Sequence, residues 1–331
     1  MDLLKVLLYF LVYPGLLFLF VYSTFVEWVD RKLFARFQNR RGPLYTGPAG
    51  LLQPVADFVK LMAKEDIVPE SADKQLFNSV PIFALAAVLA SGLLLPVWHF
   101  TAELQSATSF DGDIIVMAYL LSLPTFAFFL AGWSSASMYA SIGAVRVLTL
   151  LFSYEVPMFL AILSPAVLAG SWRMAVIAQF YQLHPWYLLA NLLAFAVAII
   201  ALQAKLERVP FDIPEAETEL VGGTFTEYSG RKLALFRLLT DVQMVTGAGF
   251  LAALFLGGFP GGLVPGFLWF ILKTLFIVFI LAAIKAVTAR IRIDQMVNFS
   301  WSYLAPTALL QLVLVLVLPY VIAWIKGGFV K

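Results

Sequence analysis

The chain has 331 residues, of which 62% are hydrophobic and 13% are charged, and its formal net charge is +2. So little polar sequence excludes a soluble globular protein. The chain also has no cysteine, which excludes disulfides, iron–sulfur ligation and thiolate metal sites. The composition therefore indicates a membrane protein without an iron–sulfur centre of its own.

Apolar runs recur along the whole chain, and each is long enough to cross a bilayer as a helix. The first run is too long and too poor in basic residues for a cleaved signal peptide, so we expect it to remain. We predict an all-α polytopic membrane protein with about eight transmembrane helices, forming a single membrane domain over residues 1–331. The predicted spans are Leu3–Val26, Ser79–Trp98, Ile114–Trp133, Gly143–Ala169, Trp186–Leu206, Leu233–Leu256, Pro265–Ala289 and Tyr303–Ile325.

Basic residues are concentrated in two loops, at about residues 27–78 and 205–232, whereas the loops of opposite parity carry only Arg173. The positive-inside rule places these two large loops in the cytoplasm and both termini outside. The first loop also contains glycine-proline turns and apolar pairs such as Leu51-Leu52, so we expect it to be packed rather than solvated. An amphipathic segment on the membrane and a docking surface for a soluble partner are the two alternatives.

The two histidines, His99 and His184, fall at the predicted outer ends of spans, beside Trp98 and Trp186. Anchoring in the aromatic belt at the membrane interface accounts for them. A haem held by both histidines is the alternative.

Glu155 is the clearest candidate for chemistry, because an ionisable side chain inside a bilayer is costly and indicates function by default. Pro157 cannot donate a hydrogen bond to the carbonyl of Ser153, so a polar oxygen is expected beside the carboxyl group, where water can bind. A buried carboxyl group of this kind can relay protons. A structural glutamate that is hydrogen-bonded across helices is the alternative.

Three further charged residues lie in predicted spans. Arg146 precedes Glu155 by nine residues, about 13 Å along a helix axis, so we expect it to reach the cytoplasmic edge instead of pairing with Glu155. Lys285 is near a span end and can do the same, while Lys273 sits deeper. Lys273 is a relay candidate, or it forms an ion pair between helices, for which Asp241 is the candidate partner.

The loop between the fifth and sixth spans is rich in acids and predicts a short amphipathic helix. Asp212 followed by Glu215 fits a capping box at its start, and Gly222-Gly223 fits its end. Such a helix places Glu219 on the same face as Asp212 and Glu215, where like charges raise one another's pKa. The cluster can then pass protons, although a merely solvated acidic face is the alternative.

Four ordered motifs resemble the H subunit of respiratory complex I, which is the family of mitochondrial NADH dehydrogenase subunit 1. The family includes the matching subunits of energy-converting hydrogenases and of related ferredoxin-driven complexes. The resemblance covers nearly the whole chain. The motifs are Asp30-Arg31-Lys32 with Gln38, Arg41-Gly42-Pro43, Gly47-Pro48, Gly50-Leu51-Leu52-Gln53-Pro54, Ala56-Asp57, Lys60-Leu61 and Lys64-Glu65; Gly143-Ala144, Arg146 and Ser153-Tyr154-Glu155; Arg208, Pro210-Phe211-Asp212, Glu215, Glu217, Glu219-Leu220 and Glu227-Tyr228-Ser229-Gly230; and Arg290, Arg292 and Asp294-Gln295.

The resemblance implies an eight-span subunit of the cell membrane that has no redox centre of its own. It implies docking of a soluble hydrogenase-like catalytic subunit and an iron–sulfur subunit, whose clusters lie outside this chain, and contact with antiporter-like membrane subunits. It leaves quinone open as a ligand, implies coupling of electron transfer to H⁺ or Na⁺ translocation, and implies no nucleic acid. The implied acceptor chamber and docking residues are Arg36, Arg41, Asp57, Lys60, Lys64, Glu65, Arg290, Arg292 and Asp294. The implied coupling residues are Glu155, Asp212, Glu215, Glu219 and Glu227, with Asp241 and Lys273 as the further candidates named above.

Three departures from the quinone-using pattern favour the hydrogenase-like or sulfur-reducing branch. Leu44 stands where quinone-using members have Asn, Lys205 stands where they have Glu, and the acid of the sixth span is shifted by one to Asp241. The alternative is the quinone-chamber subunit of an NADH-, ferredoxin- or reduced-deazaflavin-driven quinone-reducing complex. A stand-alone ion transporter and a passive anchor are more remote alternatives, and the missing internal repeat argues against the transporter.

Overall fold

The computed structural model describes residues 7–8, 10–12, 15–96, 109–215, 217–259 and 266–325, with the side chains of 217, 218 and 320–325 left out. All regular secondary structure in these ranges is helical, which confirms the predicted all-α class. The α-helices are α1 Leu16–Phe37, α2 Gln53–Ala63, α3 Lys74–Leu93, α4 Asp113–Ser134, α5 Met138–Ala169, α6 Met174–Leu183, α7 Tyr187–Ala190, α8 Leu192–Lys205, α9 Glu217–Leu220, α10 Gly230–Phe255, α11 Gly266–Val287, α12 Ile293–Phe299 and α13 Ala305–Ile325. Short 3₁₀ turns cover Pro48–Gly50 and Gly223–Phe225, and a π-helical turn covers Ser300–Leu304.

Six helices of the described chain are long and apolar enough to cross a membrane: α3, α4, α5, α10, α11 and the continuous segment Ile293–Pro319. They coincide with six of the eight predicted spans. The other two predicted spans coincide with α1, whose second half carries several charged side chains, and with α8, which has 14 residues. The multi-pass architecture is therefore confirmed, while the count of eight and the outward termini stay predictions.

The structure corrects the limits of two predicted spans. Helix α1 continues through the first part of the predicted loop to Phe37. An ion pair between Arg31 Nε and Glu27 Oε1, at 2.6 Å, joins two turns of this extension. The fifth predicted span is broken at Asn191. The Asn191 side chain compensates for the break through buried hydrogen bonds, since its Oδ1 accepts from Ser164 Oγ at 2.5 Å and from Gln311 Nε2 at 3.2 Å.

Helix α10 is the centre of the bundle, and 83% of an apolar 18-residue stretch of this helix is buried. It packs against α1, α2, α3, α8 and α11. Glycine makes part of this packing possible, because a Cβ atom on Gly247 would lie 2.5 Å from the Leu202 side chain. The first part of α10 is held by aromatic packing, in which Tyr228 stacks on Phe77 at 4.0 Å and meets Phe236 edge-on at 5.0 Å.

One end of the bundle gathers the two large loops and the segment that follows α11, and we call it the loop side. Helix α2 packs against α1, with the Phe58 and Phe20 rings 5.6 Å apart. The second loop packs on α5 so closely that a Cβ atom on Gly143 would lie 2.8 Å from Thr224 N. The Ile291 backbone N–H donates to Pro210 O at 3.2 Å. Helix α2 of the first loop is therefore packed on the bundle, whereas Leu51 and Leu52 are exposed, contrary to the expectation.

The carbonyl that Pro157 leaves free in α5 has a protein partner. Ser300 Oγ donates a hydrogen bond to Ser153 O, and Ser300 is fully buried. Ser300 opens the π-helical turn between α12 and α13. The sequence indicated that water can bind at this carbonyl, and the structure gives the carbonyl the Ser300 hydroxyl as a partner.

The two histidines differ in what can be said of them. His99 lies outside the described residues. The His184 ring packs against Phe180 at 5.2 Å and against Tyr187 at 6.1 Å. This aromatic packing favours anchoring as the role of His184.

Candidate functional site

A cavity of about 510 Å³ lies at the loop side, enclosed by α1, α2, α10 and residues 206–215. We call it the main cavity. Its walls combine aromatic rings such as Phe34, Phe58 and Phe128 with charged side chains, among which acids outnumber bases. A cavity of this size can enclose a small organic molecule. The charged lining residues are Glu27, Asp30, Arg31, Asp57, Glu207, Arg208, Asp212, Glu215, Arg237, Asp241 and Lys285.

A second cavity, of about 540 Å³, adjoins the main cavity on the side of residues 40–45. Arg31 and Phe34 line both cavities and stand at the boundary between them. Arg41 and Leu44 line only the second one. The loop side therefore has two adjacent recesses, with a cation and an aromatic ring in the wall that they share.

A buried ion pair joins the first and second loops at the wall of the main cavity. Arg208 Nη2 donates to Asp30 Oδ2, and the two side chains are 10% and 4% exposed. Arg208 Nη1 also contacts Met244 Sδ of α10 at 3.1 Å. The pair therefore ties α1, α10 and the segment after α8 together.

The charges of α1 continue across the cavity to α2 and α10. Arg31 binds Glu27 at 2.6 Å and Asp57 of α2 at 2.7 Å. Glu27 and Asp241 of α10 both line this cavity together with Arg31. This wall of the cavity therefore combines carboxyl groups with a cation.

Glu207 is the most unusual acid of the cavity. Its residue is 8% exposed and its Oε1 has no hydrogen-bond partner in the described part of the chain. Its backbone lies in the left-handed region, at φ 50°, which is uncommon for residues other than glycine. Burial, and then the charges of Glu215 and Asp212, raise the pKa of the Glu207 carboxyl group well above its ordinary value.

Glu155 is paired with a lysine. Lys205 Nζ, at the end of α8, lies 3.4 Å from Glu155 Oε2 and 3.1 Å from Ser122 Oγ. The Ser122 hydroxyl in turn donates to Glu155 Oε1. The ammonium group also lies 5.6 Å from the centre of the Tyr154 ring. Lys205 is not part of the lining of either cavity.

The prediction of an acidic helix from Asp212 to Gly222 is wrong. The segment that contains Asp212 and Glu215 is a loop which turns toward the main cavity, and helix α9 covers only Glu217–Leu220. Glu219 therefore shares no face with the other two acids. It is 57% exposed and binds Arg146 Nη1 at 2.7 Å. This hydrogen bond lowers the pKa of Glu219, contrary to the predicted increase.

An ion pair of Lys273 with Asp241, one of the two alternatives for Lys273, is also not what the structure shows. Lys273 Nζ donates to the carbonyls of Leu256 and Gly258, at 2.6 and 2.5 Å, and so satisfies the end of α10. Arg146 was expected only to extend to the membrane edge, but it holds Glu219. Lys285 lines the main cavity and lies over the Phe34 ring at 4.7 Å.

The structure brings together only part of the predicted chamber. Asp57 lines the main cavity and Arg41 the second cavity. The other predicted chamber residues are exposed and line neither cavity: Arg36, Lys60, Lys64, Glu65, Arg290, Arg292 and Asp294. Of the predicted coupling acids, Asp212, Glu215 and Asp241 line the main cavity, whereas Glu155, Glu219 and Glu227 do not.

Sequence reasoning missed the roles of several residues that the structure makes prominent. Asp30 and Arg208 were recognised only as parts of motifs, and Lys205 only as a departure from a pattern. Glu27 and Glu207 were given no role. A usable signal was that all five lie at the ends of apolar runs, where a charge can be buried by a neighbouring loop. In the described residues, no three acidic or histidine side chains form a group that could hold a metal ion.

The comparisons with known proteins agree with one another. The family model described as NADH dehydrogenase matches residues 10–316. The chain is 41% identical over 305 residues to NADH-quinone oxidoreductase subunit 8 of Thermus thermophilus, covering 91% of this chain and 82% of that protein. It is 39% identical over 313 residues to the NADH-quinone oxidoreductase H subunit of Brevibacillus brevis, covering 93% of this chain and 91% of that protein. It is 39% identical over 303 residues to the corresponding H subunit of Thermomicrobium roseum, covering 87% of this chain and 89% of that protein.

The chain belongs to the complex I H-subunit family. The resemblance drawn from its motifs is confirmed, and so is the prediction of a multi-pass protein of the cell membrane. As a member of the complex I H-subunit family, it is a membrane subunit of a complex I-type assembly and has other subunits as partners. The names of the relatives do not support the hydrogenase-like branch that the three departures favoured.

Proposed function

We propose that the chain holds quinone beside the soluble arm of a complex I-type oxidoreductase, docks that arm at its loop side, and couples electron transfer to H⁺ or Na⁺ translocation. The main cavity is the observation that carries this proposal. Aromatic walls suit a flat ring and an apolar tail, and the charged groups can respond when the ring changes its charge. The relatives named above are quinone oxidoreductase subunits, which agrees with this ligand.

The departures that favoured a hydrogenase-like branch weigh less once their positions are known. Lys205 lines neither cavity, so its charge is not an argument against quinone in the main cavity. Leu44 lines only the second cavity. Asp241 lines the main cavity and still presents a carboxyl group there.

The surface around α2 supports docking of a soluble partner. Val59 and Ile67 are each 58% exposed, and Leu52 is 50% exposed, next to the exposed Lys60 and Lys64. Exposed apolar side chains rimmed by charges are typical of an interaction surface. We place the remaining predicted docking residues on this same side of the molecule: Arg36, Glu65, Arg290, Arg292 and Asp294.

The ion path is proposed to begin at the acids of the main cavity and to continue through Glu155. Asp212, Glu215 and Asp241 lie in the cavity wall, where a change in the charge of the bound molecule acts on them directly. Glu155 lies inside the bundle on α5. Glu219, Glu227 and Lys273 lie outside the cavity lining, and we leave them out of the path.

A substitution that fills the main cavity tests the quinone proposal. Thr240 lines this cavity, whereas Val21 lies on α1 and is 56% exposed away from it. In the purified native complex, Thr240→Trp should reduce quinol formation at least about tenfold, since a buried steric conflict weakens binding by more than 1.4 kcal/mol. Reduction of a soluble artificial acceptor should be unchanged, and Val21→Trp should behave as the unmodified protein.

Normal quinol formation by Thr240→Trp would place the acceptor elsewhere. Hydrogen evolution or reduction of a sulfur compound without quinone would assign the complex to the hydrogenase-like branch. Ion coupling is tested separately with Glu155→Gln in inverted membrane vesicles. We expect the assembled complex to transfer electrons but to lose ion translocation, with Asp111→Asn as an exposed control. Normal translocation would leave this chain a passive anchor.

A further inference from the structure

Lys205 is the most deeply buried cation described in the chain, and nothing in the proposed function explains it. Its residue is 1% exposed, and it ends helix α8 in the interior of the bundle. An ammonium group in such surroundings is costly unless an opposite charge and hydrogen bonds compensate it. The structure supplies both at one point on α5.

Glu155 is the one acid within 4.0 Å of Lys205 Nζ among the described side chains, at 3.4 Å. Their contact spans 50 positions of sequence, so only the docking of α8 on α5 creates it. Ser122 of α4 completes the arrangement, because its hydroxyl is within 3.1 Å of the ammonium group and also donates to Glu155 Oε1. Glu155 Oε2 makes no hydrogen bond in the described residues, so the ammonium group is its compensating neighbour.

The position of Lys205 links this pair to the main cavity. The three residues that follow it, Leu206, Glu207 and Arg208, all line that cavity, while Lys205 itself points to Glu155. The end of α8 therefore joins the wall of the main cavity to the lysine that pairs with Glu155 inside the bundle.

We propose that Lys205 is the positioning counter-charge of Glu155, and that Glu155 relays ions only as one half of this buried pair. Lys205 compensates the charge of the carboxyl group and orients it, and a change of charge in the cavity reaches Glu155 by weakening the pair. The inference rests on the proposed role of Glu155 in ion coupling. It adds a second residue that this role requires.

The test compares Glu155→Gln, Lys205→Met, the double variant and Lys205→Arg in the complete complex. The amount of assembled complex, electron transfer to an artificial acceptor and ions translocated per electron are measured in inverted vesicles. Glu155→Gln and Lys205→Met should each lower ions per electron at least about tenfold, because either change destroys the same pair. The double variant should be no worse than either single variant, and Lys205→Arg should restore at least half of the normal ratio.

Lys232→Met is the matched control, since Lys232 is also a buried lysine, paired with Asp66 at 2.8 Å, and lines neither cavity. It should translocate ions normally. An assembled Lys205→Met complex with a normal ratio would overturn the inference. So would a double variant that regains normal translocation, because the pair would then be purely structural.

Two further outcomes remain decisive. The Lys205→Met complex could fail to assemble. Assembly of the double variant would then support the pair. If the double variant also fails to assemble while Glu155→Gln assembles, the inference is overturned. If Glu155→Gln itself translocates ions normally, the proposed function fails. Loss of translocation in Glu155→Gln alone, with Lys205→Met normal, refutes only the role of Lys205.

Discussion

Replacing Asp30 with Asn removes the charge opposite Arg208 and leaves a guanidinium group buried in the wall of the main cavity. The two side chains are 4% and 10% exposed, so solvent screens the pair little. Breaking a buried pair by removing one partner costs about 3–5 kcal/mol. Glu27 and Asp241 still attract Arg208, so we expect about 3 kcal/mol, the lower end of that range, which is roughly a hundredfold change in an equilibrium constant.

The assay is the rate at which the purified complex loses its electron-transfer activity on heating, with the proportion of assembled complex measured in parallel. Asp111→Asn is the control, because Asp111 pairs with Arg173 at 2.5 Å on an exposed surface, where the side chains are 80% and 44% exposed. We expect no measurable change from the control. The double variant Asp30→Asn/Arg208→Gln should lose activity on heating more slowly than Asp30→Asn alone. If Asp30→Asn inactivates no faster than the control, the stabilising role of the pair is refuted.

Two further predictions concern the cavity acid Glu207 and the hydroxyl group that caps the carbonyl beside Glu155. The pKa of Glu207 is raised by burial and by Glu215 and Asp212, so above the ordinary value of 4.5 the folded chain keeps a proton that the unfolded chain releases. Stability therefore falls as pH rises above 4.5 toward the folded-state pKa, and Glu207→Gln should flatten this fall in melting temperature. An unchanged profile would contradict the prediction. Ser300→Ala should cost about 1–3 kcal/mol in thermal stability by leaving Ser153 O without its donor. Adding Pro157→Ala should recover most of the loss, whereas the exposed Ser302→Ala should have little effect, and no recovery in the double variant would refute the capping role.

The candidate site shows where prediction from the sequence ends. The sequence predicts Glu155 as an acid inside a span, and the structure places it in α5. This prediction succeeds because an acid within an apolar run is recognisable from its neighbours in the sequence. The partner of Glu155 is not predictable in this way. Lys205 lies at the end of another apolar run, and in the sequence it is recognisable only as a departure from a family motif. The acids after Asp212 suggest a helix by their spacing, but the structure places Asp212 and Glu215 in a loop that lines the main cavity.

The sequence by itself determined the all-α membrane class, the position of most spans and the family. These follow from hydropathy and from short ordered motifs, which are properties of neighbouring residues and survive without knowledge of the fold. Only the tertiary structure decided which charges meet: Lys205 with Glu155, Arg208 with Asp30, and Arg146 with Glu219. Each of these contacts joins segments far apart in the chain, and an ion pair depends on a few ångströms of helix docking that no local pattern encodes.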